Sequence, residues 1–226
     1  MIEPDITLII GATGIGKTNY SLDLAKKTGA EIISADAFQV YRDLDIGTDK
    51  VSLSTRNAIP HHLIDIKNPD EPYSVAEFLQ LAQDCIQDIR SRNKPILICG
   101  GTALYLRAFL YNYVLPETKH DPQLRDALEK EFLLHGVRPL WEKLQSVDPV
   151  MADSIEPNNH RRVMRALEIF ELTQKKPSEL RLQSDAPRAD CQIIGLTSDR
   201  EQIYARINQR VDQMYQKGLI SEVKGI

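Results

Sequence analysis

Apolar positions along this chain come in two patterns. Near the start, and again around residue 191, they form short runs bounded by glycine or polar residues. Ile6–Ile10 is such a run and ends in a glycine loop, which predicts a buried parallel strand. The segment after Gly11–Lys17 predicts a helix with Leu22 and Ala25 on its apolar side. Glu31–Ser34 and Pro95–Cys99 predict further buried strands, and His62–Ile66 a third between them. Ser74 precedes apolar residues at helical spacing (Phe78, Leu79, Ala82, Ile86, Ile89), with Glu77 placed as a capping-box partner. Gly100-Gly101 turns the chain into a helix starting near Thr102.

From Glu117 to about Asp190 the strand runs stop. Amphipathic helices are predicted at Asp121–His135, Pro139–Gln145 and Asn159–Thr173, the last capped by Asn158 or Asn159. Cys191–Leu196 returns to strand. Asp199 opens a long helix to about Lys217, and Gly218 ends it. Alternating strands and helices imply an α/β fold with a parallel sheet flanked by helices. The domains expected are a core of residues 1–116 and 191–226, with an all-helical insertion at 117–190.

Composition narrows the class. A chain of 226 residues accommodates one α/β domain and a smaller insertion. No apolar stretch approaches the roughly 20 residues of a membrane span, and the first residues carry no basic, apolar signal, so a cytoplasmic protein is expected. Cys85, Cys99 and Cys191 are too scattered for a disulfide framework or a zinc site. A net charge of −4 argues against a general nucleic-acid binder, although Pro157–Asp190 holds seven Lys/Arg against five Asp/Glu.

Candidate chemistry begins at Gly11-Ala12-Thr13-Gly14-Ile15-Gly16-Lys17-Thr18, which fits GxxxxGK(S/T) between a strand and a helix. Backbone amides of such a loop cradle phosphate oxygens, Lys17 adds positive charge, and the Thr18 hydroxyl is placed to ligate Mg²⁺. No DxxG and NKxD pair follows, so a GTPase is disfavoured. A small-molecule kinase and another transferase acting on a diphosphate both remain.

Asp36, just past the second strand, falls at the carboxyl edge of the sheet where ligands bind, as general base or holding a Mg²⁺-bound water. Thr102 reads equally as a hydrogen-bond donor to a ligand or as a plain helix cap. Arg206 and Arg210 share one helix face and could close on a diphosphate, though surface ion pairing is the commoner fate of such a pair. His61-His62 lacks partners at metal spacing and reads as structural. Arg162 and Arg165 could meet RNA phosphates or simply face solvent.

Five strings then carry a resemblance. Ser34-Ala-Asp36 through Gln39-Val-Tyr41-Arg42 to Asp45-Ile-Gly47-Thr48 is similar to the signature of the tRNA dimethylallyltransferase (tRNA isopentenyltransferase) family. So are Pro60–Asp65, Gly100–Tyr105, Pro157–Glu168 and Arg206–Met214, in family order and over nearly the whole chain. The resemblance implies transfer of a dimethylallyl group from dimethylallyl diphosphate to N6 of the adenosine 3′-adjacent to the tRNA anticodon. It implies a P-loop NTPase-like fold, Mg²⁺ as cofactor, and the anticodon stem-loop as partner, with the chain acting as a monomer away from membranes. It assigns Asp36 as general base, Thr102 to the target base, Arg210 to the diphosphate, and Gly11–Thr18 to the donor. It further implies tRNA contacts at Asp36, Ala37, Phe38, Gln39, Thr102, Arg125, His160, Arg161, Arg162, Val163 and Met164, with the insertion gripping the anticodon arm. Ala12, Ile15 and Ala37-Phe38 depart from the family's usual residues. The family also continues past the point where this chain ends, so a chain that binds tRNA without turnover is an alternative, as is the kinase.

Overall fold

A computed structural model describes residues 5–114, 121–180 and 183–226. The chain divides into two compact units, Met1–Asn112 with Asp185–Ile226, and Tyr113–Ser184. The insertion thus begins and ends a few residues earlier than expected. The expected boundary at 116/117 and the basic residue Arg181 lie outside the described residues.

The first unit contains β1 (Ile6–Ile10), α1 (Lys17–Thr28), β2 (Glu31–Ser34), α2 (Leu53–Ala58), β3 (His61–His62), α3 (Val75–Ser91), β4 (Ile96–Cys99) and α4 (Ala103–Leu110). In chain order, the insertion then holds α5 (Pro122–His135), α6 (Val137–Val147), α7 (Pro149–Asp153), α8 (His160–Thr173) and α9 (Pro177–Leu180). The first unit closes with β5 (Cys191–Gly195), α10 (Arg200–Gln216) and α11 (Leu219–Gly225).

All five strands are parallel, in the order β3-β2-β4-β1-β5. Side chains alternate across a strand, and the core divides accordingly. Ile6, Leu8, Ile33, Ile96 and Ile98 pack with Phe78, Ile86 and Phe109 of α3 and α4. Ile9, Ile32 and Leu97 pack on the other face with Ala25 of α1. Helices on both faces explain why these strands read as near-continuous apolar runs. This is the parallel α/β fold that the sequence implies. β3 is shorter than expected because Leu63 and Asp65 take positive φ (62° and 58°), which turns the chain out of the extended form.

Ser74 caps α3 by accepting the Glu77 amide, but the Glu77 carboxylate pairs with Lys67, so the reciprocal half of the expected capping box is diverted. Asp199 occupies the N-cap of α10 without a side-chain cap bond. Gly218, in the left-handed region at φ 99°, ends α10 as predicted and opens α11, a helix the sequence pattern does not announce.

The helical unit has its own core of Leu128, Leu140, Leu144, Ala152, Val163, Met164 and Leu167. Three of its helices start where side chains satisfy free amides: Asp121 at α5, Asp148 at α7 and Asn159 at α8. Asp148 is fully buried, and it also accepts from the amide and hydroxyl of Ser178, tying α7 to α9.

Candidate active site

Strand order determines the site. β2, β4 and β1 are neighbours, so the loops leaving their carboxyl ends lie side by side. These loops carry Asp36, Gly100–Thr102 and Gly11–Gly16 respectively.

The phosphate loop joins β1 to α1, whose N-terminus brings the positive end of its dipole to the same place. Gly14 has φ 77°, and a Cβ there would lie 2.6 Å from Ile207 Cγ1 on α10, so the loop is moulded against a helix nearly two hundred residues away. Lys17 Nζ donates to the carbonyls of Gly11 (2.9 Å) and Ala12 (3.0 Å), curling across the loop. Burial lowers its pKa, against an upward pull from Cys99 and Asp36. Cys99 is only partly buried and lines the cavity rather than the core proper; burial pushes its thiol up to about 11, so it stays protonated near neutral pH.

Asp36 is held on three sides. Its Oδ1 accepts from the amides of Phe38 (2.9 Å) and Gln39 (3.3 Å), and its Oδ2 from the Gly101 amide (3.2 Å). A carboxylate offers about four lone-pair directions, so one stays open. The Thr102 hydroxyl accepts from the Ala37 amide (2.9 Å), and the Thr102 amide donates to Ala35 O (3.1 Å). Thr102 therefore sits at the N-cap of α4 without capping it, and its hydroxyl hydrogen is left for another acceptor. The two loops are pressed together, since a Cβ on Gly100 would stand 2.1 Å from Ala35 O.

Phosphate loop, Asp36, Gly100–Thr102, Arg206 and Arg210 all line one cavity of about 800 Å³. Arg206 Nη1 donates to Ile15 O (3.1 Å), and Arg210 Nε pairs with Asp49 (3.2 Å). Both arginines thus face the site rather than forming a surface pair with helix neighbours. Phe38 lines the same cavity and is 65% exposed. Gln39 is fixed on both ends of its amide, by the Ser34 hydroxyl (3.0 Å) and to Thr48 O (3.2 Å). Asp49, Leu219, Glu222 and Val223 also line the cavity, and sequence reasoning missed all four. Asp49 stands one residue past a family-like string; nothing local marks the α11 residues. His61 and His62 are structural, on Ile59 O (2.6 Å) and Glu31 (2.7 Å).

The remaining candidates belong to the helical unit. Arg161 and Arg162 are exposed in the first turn of α8, and the His160 ring stacks on Phe132 with centroids 4.3 Å apart. Val163 and Met164 differ from the rest of that set: they are 0% and 1% exposed, and their side chains pack inward in the core of the helical unit. Arg125 Nη1 pairs with the buried Glu168 (2.7 Å), which also takes Arg165 (3.1 Å). Among the described residues no cluster of three metal-ligating side chains occurs, and no helix is long and apolar enough to cross a membrane.

A P-loop α/β fold with a carboxylate and two arginines beside the loop is the arrangement of a transferase site. Comparison with known proteins makes this particular. The IPP transferase family model matches residues 39–226, and the isopentenyl transferase model residues 4–57. The chain belongs to the IPP transferase family. It is 47% identical over 222 residues to a tRNA dimethylallyltransferase of Bacillus mycoides (strain KBAB4), covering 98% of this chain and 70% of that protein. It is 46% identical over 227 residues to the tRNA dimethylallyltransferase of Bacillus anthracis, covering 100% and 72%. The crystal structure of the full-length tRNA isopentenylpyrophosphate transferase from Bacillus halodurans matches with TM-score 0.64 and 42% identity, over 100% of this chain and 70% of that one. A eukaryotic dimethylallyltransferase acting on tRNA matches with TM-score 0.82 and 34% identity, over 99% and 55%.

Proposed function

We propose that this chain transfers a dimethylallyl group from dimethylallyl diphosphate to N6 of the adenosine on the 3′ side of the tRNA anticodon. The observation that carries this is the single cavity in which a diphosphate-binding loop faces a backbone-held carboxylate with one open lone pair. Membership of the IPP transferase family supports it.

Allylic C–O cleavage leaves negative charge on the diphosphate and cationic character on carbon. The loop amides, Lys17, Arg206 and Arg210 stabilise the departing anion. The N6 lone pair is delocalised into the ring and is a weak nucleophile. As the C–N bond forms, Asp36 takes the N6 proton, and diphosphate leaves with the C–O electron pair. The Thr102 hydroxyl, which accepts from Ala37, donates its hydrogen to an acceptor on the base edge. The target base must leave its stack to reach such a cavity, and an unpaired loop makes that inexpensive.

Mg²⁺ is normally held by one or two protein ligands and by substrate phosphates. The cavity fits this: it offers the Thr18 hydroxyl and, among the described residues, no closed cage of protein ligands. Thr18 would hold the ion with the donor's own oxygens, and the ion would neutralise charge on the diphosphate. The helical unit, through His160, Arg161 and Arg162, is the proposed grip on the anticodon arm, in a monomeric enzyme.

The test is transfer of labelled dimethylallyl diphosphate, with Mg²⁺, to unmodified tRNA, with AMP as a parallel acceptor. Label in tRNA and not in AMP is expected. Label in AMP alone would overturn the RNA substrate, and label in neither would overturn the reaction.

A further inference from the structure

We infer that Glu222 on α11 is a positioning residue for the donor site, acting through the loop that holds Arg210 and Gln39; this rests on the reading of the cavity as a diphosphate site. The Glu222 carboxylate accepts three consecutive backbone amides. Its Oε2 takes Asp45 (2.8 Å) and Ile46 (2.6 Å), and its Oε1 takes Gly47 (2.8 Å). Successive amides converging on one anion form a nest, and bonds to an ionised acceptor are about twice as strong as neutral ones. The tip of the loop is therefore held by one side chain about 175 residues away in the sequence.

What that loop holds gives the interaction its role. Thr48 O anchors the Gln39 amide group, and the Gln39 backbone amide donates to Asp36. Asp49 takes Nε of Arg210 and so fixes the plane of a guanidinium that lines the cavity. The loop is also gripped from behind: Lys50 Nζ, almost fully buried, donates to Tyr41 O (2.5 Å), Asp45 (2.8 Å) and Asp65 (2.5 Å). Lys50 fixes the base of the loop, and Glu222 fixes its tip. The fit of α11 is close. A Cβ added to Gly47 would lie 3.2 Å from Leu219 Cδ1 and 3.4 Å from Glu222 Oε1. Leu219 and Val223, one turn apart on α11, line the cavity as well.

Both carboxylate oxygens of Glu222 are engaged by loop amides, which assigns it a positioning and not a catalytic role. It sets the position of Arg210, and with it Gln39, so its removal weakens diphosphate binding. The measurement is calorimetric binding of inorganic pyrophosphate, with Mg²⁺, to the full chain. Glu222→Ala is expected to raise Kd about tenfold, the order set by one charged hydrogen bond. Glu222→Gln, which keeps one acceptor oxygen and sets an NH₂ against the Gly47 amide, should fall between. A merely structural role predicts a different result: a smaller folded fraction lowers the binding stoichiometry and leaves Kd alone. An unchanged Kd for Glu222→Ala overturns the inference. Should that variant fail to fold, Gly47→Ala, which crowds the same carboxylate from the loop side, decides by the same criterion. If the unsubstituted chain binds no pyrophosphate, both the donor site and this inference fall. If it binds pyrophosphate in a Glu222-dependent way yet labels no tRNA, the inference stands and the proposed reaction does not.

Discussion

The α/β unit and the helical unit treat their polar groups differently. In the first, site groups are immobilised by backbone: Asp36 by three amides, Thr102 by the Ala37 amide, Lys17 by two loop carbonyls, Arg206 by Ile15 O. In the second, Arg161 and Arg162 stand exposed on a helix surface, and Arg125 and Arg165 share one buried carboxylate. The contrast matches the proposed division of labour. Chemistry at one atom needs positions fixed to a fraction of an ångström, whereas attraction to a phosphate backbone tolerates mobile cations.

Several substitutions would break this contrast. Asp36→Ala should lower turnover by about 10²–10⁴-fold with tRNA affinity kept, as for removal of a general base; steady-state transfer kinetics would show it, and unchanged turnover would remove Asp36 from the chemistry. Lys17→Ala should weaken binding of dimethylallyl diphosphate roughly ten- to hundredfold, the range for a charged hydrogen bond, read by calorimetry. Met164→Ala should cost about 2–5 kcal/mol of stability in denaturant titrations, as for a buried methionine, while the tRNA KM of the folded protein stays put. A raised KM would return Met164 to the RNA-facing set. Replacing Arg161 and Arg162 together by alanine should weaken tRNA binding several-fold at low salt. It should also flatten the logarithmic salt slope by about 0.7 for each phosphate no longer neutralised, the value for single-stranded RNA.

The smallest effect concerns acid. Asp190 has its pKa depressed, first by the Arg188 guanidinium, against burial, and then by Arg90. A depressed carboxylate contributes stability that is complete above its unfolded value, about 3.9, and is lost as pH falls toward its folded value. The melting temperature should therefore decline below about pH 4, and Asp190→Asn should lower it at pH 7 and make the acid decline shallower.

How much of this could be read from sequence depended on the distance over which each feature is specified. The phosphate loop was legible because its spacing is a local backbone requirement, and β1 and β2 fall where the apolar runs place them. Asp36 was legible because a strand end fixes its edge of the sheet. The short β3 was not, because its end is set by positive φ at residues with no glycine to announce it. Val163 and Met164 carried a readable signal, since with Leu167 they fall at helical spacing on an apolar stripe, but the family string assigned them outward. Glu222 was illegible for the opposite reason: it binds backbone amides some 175 residues away, and amides have no letter in the sequence.

The seating of Gly14 against Ile207 also has a temporal meaning. The residues of the phosphate loop leave the ribosome nearly two hundred residues before the helix that moulds them and the strand β5 beside β1. At about 5–20 residues per second, the loop waits roughly 10–40 s for its counterpart. During that interval β1 has an unpaired edge, the kind of surface on which nascent chains aggregate. The cradle is thus made long before it is finished, and the nascent chain acquires its phosphate grip only when a helix nearly two hundred residues downstream has seated on the loop.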